Sequence, residues 1–311
     1  PGIMLRLGIA AMKQGNDEES SMWLQKLFEK FPDSDAMKSA TVTIFITLFE
    51  EGKYDKIDEK DLDKALMERI GELSPNNLAY LSFKLIQTDY SKWDPYVCRF
   101  PDLAMKSLIQ LAYIREQEGA ADLARKLERI EYHKAIVYYL QEQYDKCIII
   151  CDNVLNKNEK TAYYSRLWAL KGRAHRKWGK YVESANDFAQ ITNYMPLDKY
   201  PLIHEKAVLG SALSLLEADN AQSVRRAILY LTDVIDFGKD AMLERMKPQE
   251  RKENAEEVNI VVQKAFVGLL RAYSLLGDEK QVGSYKQLFL TKYPRSPYLE
   301  DLDNLPPQQF K

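Results

Sequence analysis

Nowhere in this protein do apolar and polar residues alternate over a long stretch, as they would in a β-strand. The pattern therefore predicts helices joined by short turns. Residues 27 to 39 read LFEKFPDSDAMKS, and residues 290 to 302 read LTKYPRSPYLEDL. Each segment has an apolar, lysine-bearing run, then an aromatic residue, proline and serine, then a new helical stretch. The shared punctuation predicts the ends of second helices in two copies of one repeating unit.

The repeating unit is clearest in residues 164 to 196. A small residue at Gly172 lets a partner helix approach closely, Gly179 can take the positive φ that ends a first helix, and Pro196 closes the second helix. The same spacing recurs at two other places. Its marker residues there are Gly8, Gly15 and Pro32, and Tyr273, Gly277 and Pro294.

Seven helix pairs follow from this punctuation, and two segments between them are predicted as loops. The pairs are 2–14 with 17–31, 34–51 with 60–73, 77–90 with 102–117, 120–142 with 144–157, 162–178 with 180–195, 202–217 with 221–238, and 254–276 with 278–292. Further inter-helix turns are predicted at 52–56 and 142–146. The loops are an irregular one at 91–102, which contains two prolines, and a polar one at 246–257.

The unit at 164–196 resembles a tetratricopeptide repeat, a helix-turn-helix unit of about 34 residues. The resemblance implies an all-α protein, a right-handed α-solenoid of antiparallel helix pairs that is irregular in its middle. We expect N-terminal pairs over residues 1–117 and continuous C-terminal pairs over 118–311. The endings FPDSDA and YPRSPY are also similar to those of bacterial envelope repeat proteins of the barrel-assembly and Tol-Pal type. This resemblance favours a periplasmic or envelope-associated location over a cytoplasmic one.

Composition excludes several classes of function. The formal net charge is −2, which argues against general nucleic-acid binding, since that requires a large basic excess. No apolar run approaches the roughly 18 residues that a membrane span needs. Because the sequence opens on Pro1 in a stretch typical of the middle of an array, we expect an upstream segment in the natural protein.

Catalytic and cofactor motifs are missing from the sequence. The three histidines are isolated, and no phosphate-binding loop, dinucleotide fingerprint or nucleophile elbow is present. We therefore expect a protein that is not an enzyme and holds no cofactor or metal. Cys147 and Cys151 lie four residues apart on one helix face, so we expect buried, unbonded thiols. Cys98, in the irregular loop, is the more reactive candidate.

One helix face carries candidate binding residues. In tetratricopeptide arrays this face of each first helix lines the concave groove, so cations and tyrosines there suit an extended acidic peptide or the C-terminus of a partner. A solvated basic face balanced by acids on the second helices is the alternative. The candidate groove residues are Arg129, Tyr132, Tyr139, Arg166, Arg173, Arg176, Lys177, Lys264 and Arg271.

The leading hypothesis for function is a non-enzymatic protein-protein interaction scaffold that binds a partner segment in this groove, because an α-solenoid offers an extended concave surface. A structural subunit of a larger envelope or motility assembly, bound through its ends or its convex face, is the second hypothesis.

Overall fold

The computed structural model describes residues 1–32, 34–50, 52–53, 57, 62–89, 92–118 and 123–310. Within these ranges the protein forms fourteen α-helices. They are α1 (Gly2–Lys13), α2 (Asp17–Lys30), α3 (Asp35–Glu50), α4 (Leu62–Arg69), α5 (Pro75–Lys84), α6 (Pro101–Glu118), α7 (Leu123–Leu140), α8 (Tyr144–Lys157), α9 (Tyr164–Lys177), α10 (Tyr181–Tyr194), α11 (Pro201–Glu217), α12 (Ala221–Glu244), α13 (Pro248–Leu275) and α14 (Glu279–Lys292). Short 3₁₀ turns follow at Ile70–Glu72 and Glu300–Leu302.

Successive helices pack against each other in pairs, and the predicted all-α fold of solenoid type is confirmed. The predicted glycine turns account for the local geometry. The φ angle is 76° at Gly15, 79° at Gly179 and 71° at Gly277, a region that costs glycine little. After α9, the amide of Lys180 donates to the carbonyl of His175 at 2.8 Å, which closes the helix end with the wide hydrogen bond of a Schellman motif.

The aromatic-proline-x-serine signal ends one element and starts the next. Phe31 and Tyr293 are the C-cap residues of α2 and α14, and each is followed by a proline, which cannot continue a helix. The following serine hydroxyl then accepts a backbone N–H of the new segment, Ser34 from Met37 at 3.2 Å and Ser296 from Tyr298 at 3.1 Å. Local hydrogen bonding therefore explains why the aromatic-proline-x-serine motif marks a helix end at both places.

The fold divides into two compact units. Unit 1 comprises residues 1–88 and 96–141, and unit 2 comprises residues 89–95 and 142–311. The core of unit 1 forms around Phe45 and Leu108, and the core of unit 2 around Phe266 and Leu231. The sequence-based boundary between residues 117 and 118 stays a prediction.

Residues 246–257 were expected to form a loop, and this expectation is wrong from Pro248 onward. Pro248 opens α13, because a proline at the first helical position lacks only an N–H that would have no partner there. The Glu250 carboxylate accepts the Lys247 backbone N–H at 3.3 Å and caps the same end. The first turns of α13 are polar because they face solvent, so their composition resembles that of a loop.

The irregular loop predicted at 91–102 also needs correction. Two short antiparallel strands, β1 (Gln87–Thr88) and β2 (Tyr96–Val97), pair within unit 1, and α6 already begins at Pro101. The segment 89–95 between the strands packs with unit 2. The predicted helix 221–238 ends where α12 breaks at Gly238, whose φ is 68°.

Some predicted boundaries lie outside the described residues. These are most of the turn at 52–56, the helix start at 60, the end of the helix at 90 and the first residues of the helix at 120. Within the described ranges, no helix combines the length and apolar character that crossing a bilayer requires.

The cysteine predictions have two different outcomes. Cys147 and Cys151 are fully buried and unbonded, as expected. The hydrogen bond with Cys147 and burial raise the pKa of the Cys151 thiol. Cys98 is half-buried, and burial raises the pKa of its thiol to about 11. Since the thiolate is the reactive form, burial disfavours reaction at Cys98 as well, and its rank as the most reactive of the three thiols stays a prediction.

Candidate functional site

Close packing around one aromatic ring positions the candidate site in unit 2. A Cβ atom added to Gly172 on α9 would lie 2.8 Å from the Phe188 ring, and one added to Gly210 on α11 would lie 2.6 Å from it. Real side chains do not approach this closely, so only glycine fits at either position. Phe188 therefore brings the backbones of α9 and α11 close together, and these helices carry cations on their adjoining faces.

These cations converge on one cleft in unit 2. Arg173 and Arg176 of α9, Lys206 of α11 and Lys264 of α13 line a cleft of about 70 Å³, together with Lys92 from the segment 89–95. Glu257 is the one carboxylate among the described lining residues. We call this site the cationic cleft.

Lys264 lies at the centre of the cationic cleft and is 8% exposed. Its ammonium group donates a hydrogen bond to the backbone carbonyl of Lys92 at 2.5 Å. The same nitrogen lies 5.2 Å from the centroid of the Trp93 ring and 6.0 Å from that of Tyr298, and the two rings are 5.6 Å apart. Lys92 and Trp93 therefore form one wall of the cleft, through a carbonyl group and an aromatic face.

Two lysines of the cationic cleft are buried or half-buried close to other cations. Burial lowers the pKa of Lys264 to about 8, and the charges of Arg173, Lys206 and Arg176 add to this effect. Burial likewise lowers the pKa of Lys206, although its ion pair with Glu257 at 2.5 Å opposes the change. A cleft that disfavours its own cations gains free energy when an anion enters.

The sequence-predicted cations of unit 2 fall into two groups. Arg173, Arg176 and Lys264 line the cleft. Arg166 is exposed with its guanidinium 5.7 Å from the Tyr163 ring centroid, and its charge still lowers the pKa of Lys206. The cleft does not include the two remaining predicted cations, Lys177 and Arg271.

The predicted groove residues of unit 1 lie elsewhere in the molecule. Arg129 is exposed and its guanidinium stacks 3.9 Å from the Phe83 ring centroid. Tyr132 and Tyr139 are only 7% and 3% exposed, and both contact Tyr96. The hydroxyl groups of Tyr132 and Tyr96 lie 3.2 Å apart, and the ring of Tyr139 packs edge-on against that of Tyr96 with 6.0 Å between centroids. The idea that these two tyrosines offer a binding surface is therefore corrected, because they are core residues.

Sequence reasoning missed Lys206 and Trp93. Aligned through the two glycines that touch Phe188, Lys206 takes the position of Trp168, which shares a helix face with Gly172. The face that carries a close-packed glycine predicts a core position, so the sequence did not indicate Lys206. Trp93 had no signal at all, because its contact with Lys264 spans 171 residues, the difference between positions 93 and 264.

Several polar side chains of α8, α9 and α10 pair with one another. His175 and Asp187 form a hydrogen bond at 2.5 Å between α9 and α10. Lys171 lies 2.8 Å from Asp152 and 3.6 Å from Asp187. Over the part of the protein that the structure describes, no group of three histidine, cysteine or acidic side chains could hold a metal ion.

Fold and cleft together define an all-α protein of helix pairs with a cation-lined cleft. No family model and no curated protein sequence matches it. Fifteen chains of solved structures match it. One of these belongs to the "Structure of Naa15/Naa10 bound to HypK-THB", with 16% sequence identity and a TM-score of 0.37. The match covers 95% of this protein and 42% of that one, so this protein spans less than half of its length. A likeness at this level carries no argument about function.

Proposed function

We propose that this protein is a non-enzymatic protein-interaction scaffold whose cationic cleft binds an extended acidic segment, or the C-terminus, of a partner protein. The observation that carries the proposal is the composition of the cleft. Five cations and one carboxylate line it among the described residues, in a protein whose net charge is −2. Folding alone does not call for such crowding, since burial, and after it the charges of neighbouring cations, lower the pKa of both Lys206 and Lys264.

The chemistry of the lining groups favours carboxylate ligands. Arg173 and Arg176 are one turn apart on α9, and a guanidinium pairs with a carboxylate through two parallel hydrogen bonds. Lys206 and Lys264 enter from two other helices, so the charges are spread over more than one peptide residue. Trp93 adds a rigid aromatic wall suited to an apolar side chain of the partner.

A peptide-binding assay tests the cleft directly. The probe is a fluorescein-labelled peptide of alternating aspartate and glutamate, measured by fluorescence anisotropy against its asparagine and glutamine twin. The acidic peptide should bind more tightly, and its binding should weaken between about 50 and 300 mM salt because the contacts are partly exposed. Free and amidated C-termini on the same peptide distinguish recognition of a terminal carboxylate from recognition of an internal segment.

Matched charge reversals locate the site. Arg173→Glu with Arg176→Glu should weaken acidic-peptide binding at least tenfold. The control is Arg225→Glu with Arg226→Glu, two adjacent exposed arginines on α12 outside the cleft. Circular dichroism should show unchanged helix content in both. Equal loss in the two double variants, or equal binding of the uncharged peptide, would contradict the proposal.

Partner proteins can be identified with the same variants. An affinity capture from an extract of the source organism should recover proteins with the wild type and the α12 control that the α9 double variant fails to recover. Acidic stretches or acidic C-termini should be enriched among them. An identical set of proteins for all three baits would remove the cleft as the binding site.

A structural subunit of a larger assembly is the second candidate function. Aliphatic side chains are exposed on several second helices, with 56% exposure at Ile149 of α8, 58% at Val182 of α10 and 64% at Leu229 of α12. Such residues suit contacts away from the cleft. Ile149→Asp with Leu229→Asp should then abolish assembly, measured by light scattering, and leave acidic-peptide binding unchanged.

A further inference from the structure

A second pocket in unit 2 has the opposite charge to the cationic cleft. It lies between α10, α11 and α12 and has a volume of about 620 Å³. Three carboxylates line it, those of Glu205 on α11 and of Asp233 and Asp236 on α12. We call this site the acidic pocket.

Glu205 is the unusual member of this set. Its side chain is 4% exposed, and its Oε2 atom has no hydrogen-bond partner within the described parts of the protein. Buried carboxylates in proteins are normally paired or hydrogen-bonded, because removing a charge from water is costly. Burial and the nearby charge of Asp233 raise the pKa of Glu205 to about 7. A buried carboxylate that lines a cavity and leaves its Oε2 atom without a hydrogen-bond partner suits a cationic ligand.

The described residues supply little compensating charge. Arg245 lowers the pKa of Glu205, but its guanidinium pairs with Asp198 at 2.5 Å and lies 4.8 Å from the Phe237 ring centroid. His204 uses its Nδ1 atom in a hydrogen bond of 2.9 Å with the Met195 carbonyl oxygen. The pocket thus retains excess negative charge.

The size and walls of the pocket select the class of ligand. Its volume falls within the roughly 300–1,000 Å³ of pockets that hold small organic molecules. The aromatic rings of Tyr230 and Phe237 line it, and the described residues provide no three-ligand metal group. A guanidinium fits better than an ammonium, because it is planar, stacks on aromatic rings and pairs with a carboxylate through two hydrogen bonds.

We propose that the acidic pocket binds an alkylguanidinium group, with Glu205 as its principal ion-pair partner and Asp233 and Asp236 as flanking carboxylates. The group belongs either to an arginine residue of a partner protein or to a small free guanidine. The two sources share one chemistry and differ in what surrounds the cation. This site is independent of the cationic cleft, so either proposal can fail alone.

Isothermal titration calorimetry on the protein tests the ligand class with three probes. These are the capped peptide Gly-Gly-Arg-Gly-Gly, its twin with citrulline in place of arginine, and agmatine. Citrulline keeps the shape of arginine and loses the charge, so it should bind at least tenfold more weakly. Tighter binding of the peptide identifies a protein ligand, and tighter binding of agmatine identifies a small free guanidine. Equal binding of the arginine and citrulline peptides overturns the proposal.

Matched substitutions test the role of Glu205. Glu205→Gln should weaken binding of the preferred probe at least tenfold at pH 8, whereas Glu217→Gln, an exposed glutamate on the same helix, should leave it unchanged. Unaltered affinity in Glu205→Gln overturns the proposal. If that variant fails to fold, Asp233→Asn on the more exposed wall decides the question by the same criterion.

The pH dependence of affinity gives a second readout. Affinity of the wild type should rise between pH 6 and pH 8 as Glu205 ionises, and the rise should be much smaller in Glu205→Gln. The other titratable or charged groups near Glu205 are His204 on α11, Asp233, Asp236 and Tyr230 on α12, and Arg245 directly after α12, whereas α10 contributes none among the described lining residues. Both proteins share these groups, so the difference between the two profiles isolates Glu205. Identical profiles overturn the proposal.

Discussion

Replacing Glu205 by glutamine should make the unliganded protein more stable at alkaline pH. The pKa of Glu205 is about 7 in the folded protein, against 4.5 for an unperturbed glutamate. Between these values the folded state binds more protons than the unfolded state, so stability is lost as the pH rises toward 7. The contribution of Glu205 protonation to the free energy of unfolding is fully present below about pH 4.5 and absent above about pH 8. Glutamine keeps the shape of the side chain and carries no charge at any pH.

The magnitude follows from the pKa difference. Each pKa unit corresponds to about 1.36 kcal/mol, and the linkage relation between pH 5 and pH 8 gives about 2.5 kcal/mol. Water that enters through the pocket mouth screens the charge, so this figure is an upper value. The free energy of unfolding of both proteins is measured by urea titration at several pH values. The advantage of the variant should grow by about 1–2.5 kcal/mol over this range.

Two features make the measurement decisive. All other titrating groups are common to both proteins and cancel in the difference, and Glu217→Gln provides a control whose difference from the wild type should not vary with pH. A difference between Glu205→Gln and the wild type that stays constant from pH 5 to pH 8 would refute the reasoning. It would mean that the Glu205 carboxylate has a partner or is hydrated in solution.

Two further predictions concern packing and the cationic cleft. Gly172→Ala should destabilise unit 2 by about 1–3 kcal/mol in thermal unfolding, because the new methyl group would lie 2.8 Å from the Phe188 ring. The control Gly283→Ala places a methyl group with no atom within 4 Å and should stabilise α14 by about 0.5–1 kcal/mol. Lys264 has a pKa of about 8 when folded and 10.5 when unperturbed, so the unfolded state binds the extra proton between these values. The stability of the wild type relative to Lys264→Met should therefore rise by up to about 3 kcal/mol between pH 8 and 10.5, and no rise in urea titrations would contradict the assignment.

The fold was predictable because its signals are local. Gly179 needs a positive φ at the end of α9, Pro32 cannot continue α2, and Ser296 supplies a side-chain acceptor to the next segment; each of these requirements acts over a few residues. Part of the cationic cleft was predictable for the same reason. Arg173 and Arg176 lie one turn apart, so helical periodicity places them on neighbouring parts of one face.

The rest of the site depends on contacts between residues that are distant in sequence. Lys206 joins the cleft only because Phe188 draws α11 against α9, and Trp93 joins it only because the segment 89–95 packs with unit 2. Tyr132 and Tyr139 illustrate the opposite error. Their spacing fits a groove face, but packing against Tyr96 buries them. Periodicity identifies a face of a helix and does not identify what covers it.

Helix α11 connects the two proposed sites through consecutive residues. Glu205 lines the acidic pocket and Lys206 lines the cationic cleft, because neighbours on an α-helix point about 100° apart. Aligned through the two glycines, Glu205 occupies the position of the fully buried Leu167 on α9. Apolar side chains at both positions would remove the desolvation cost that shifts both pKa values, and replacing buried charges in this way is often stabilising. Glu205 and Lys206 have opposite charges, line different sites and lie on an otherwise largely apolar helix. Binding of ligands explains their presence better than the stability of the fold does.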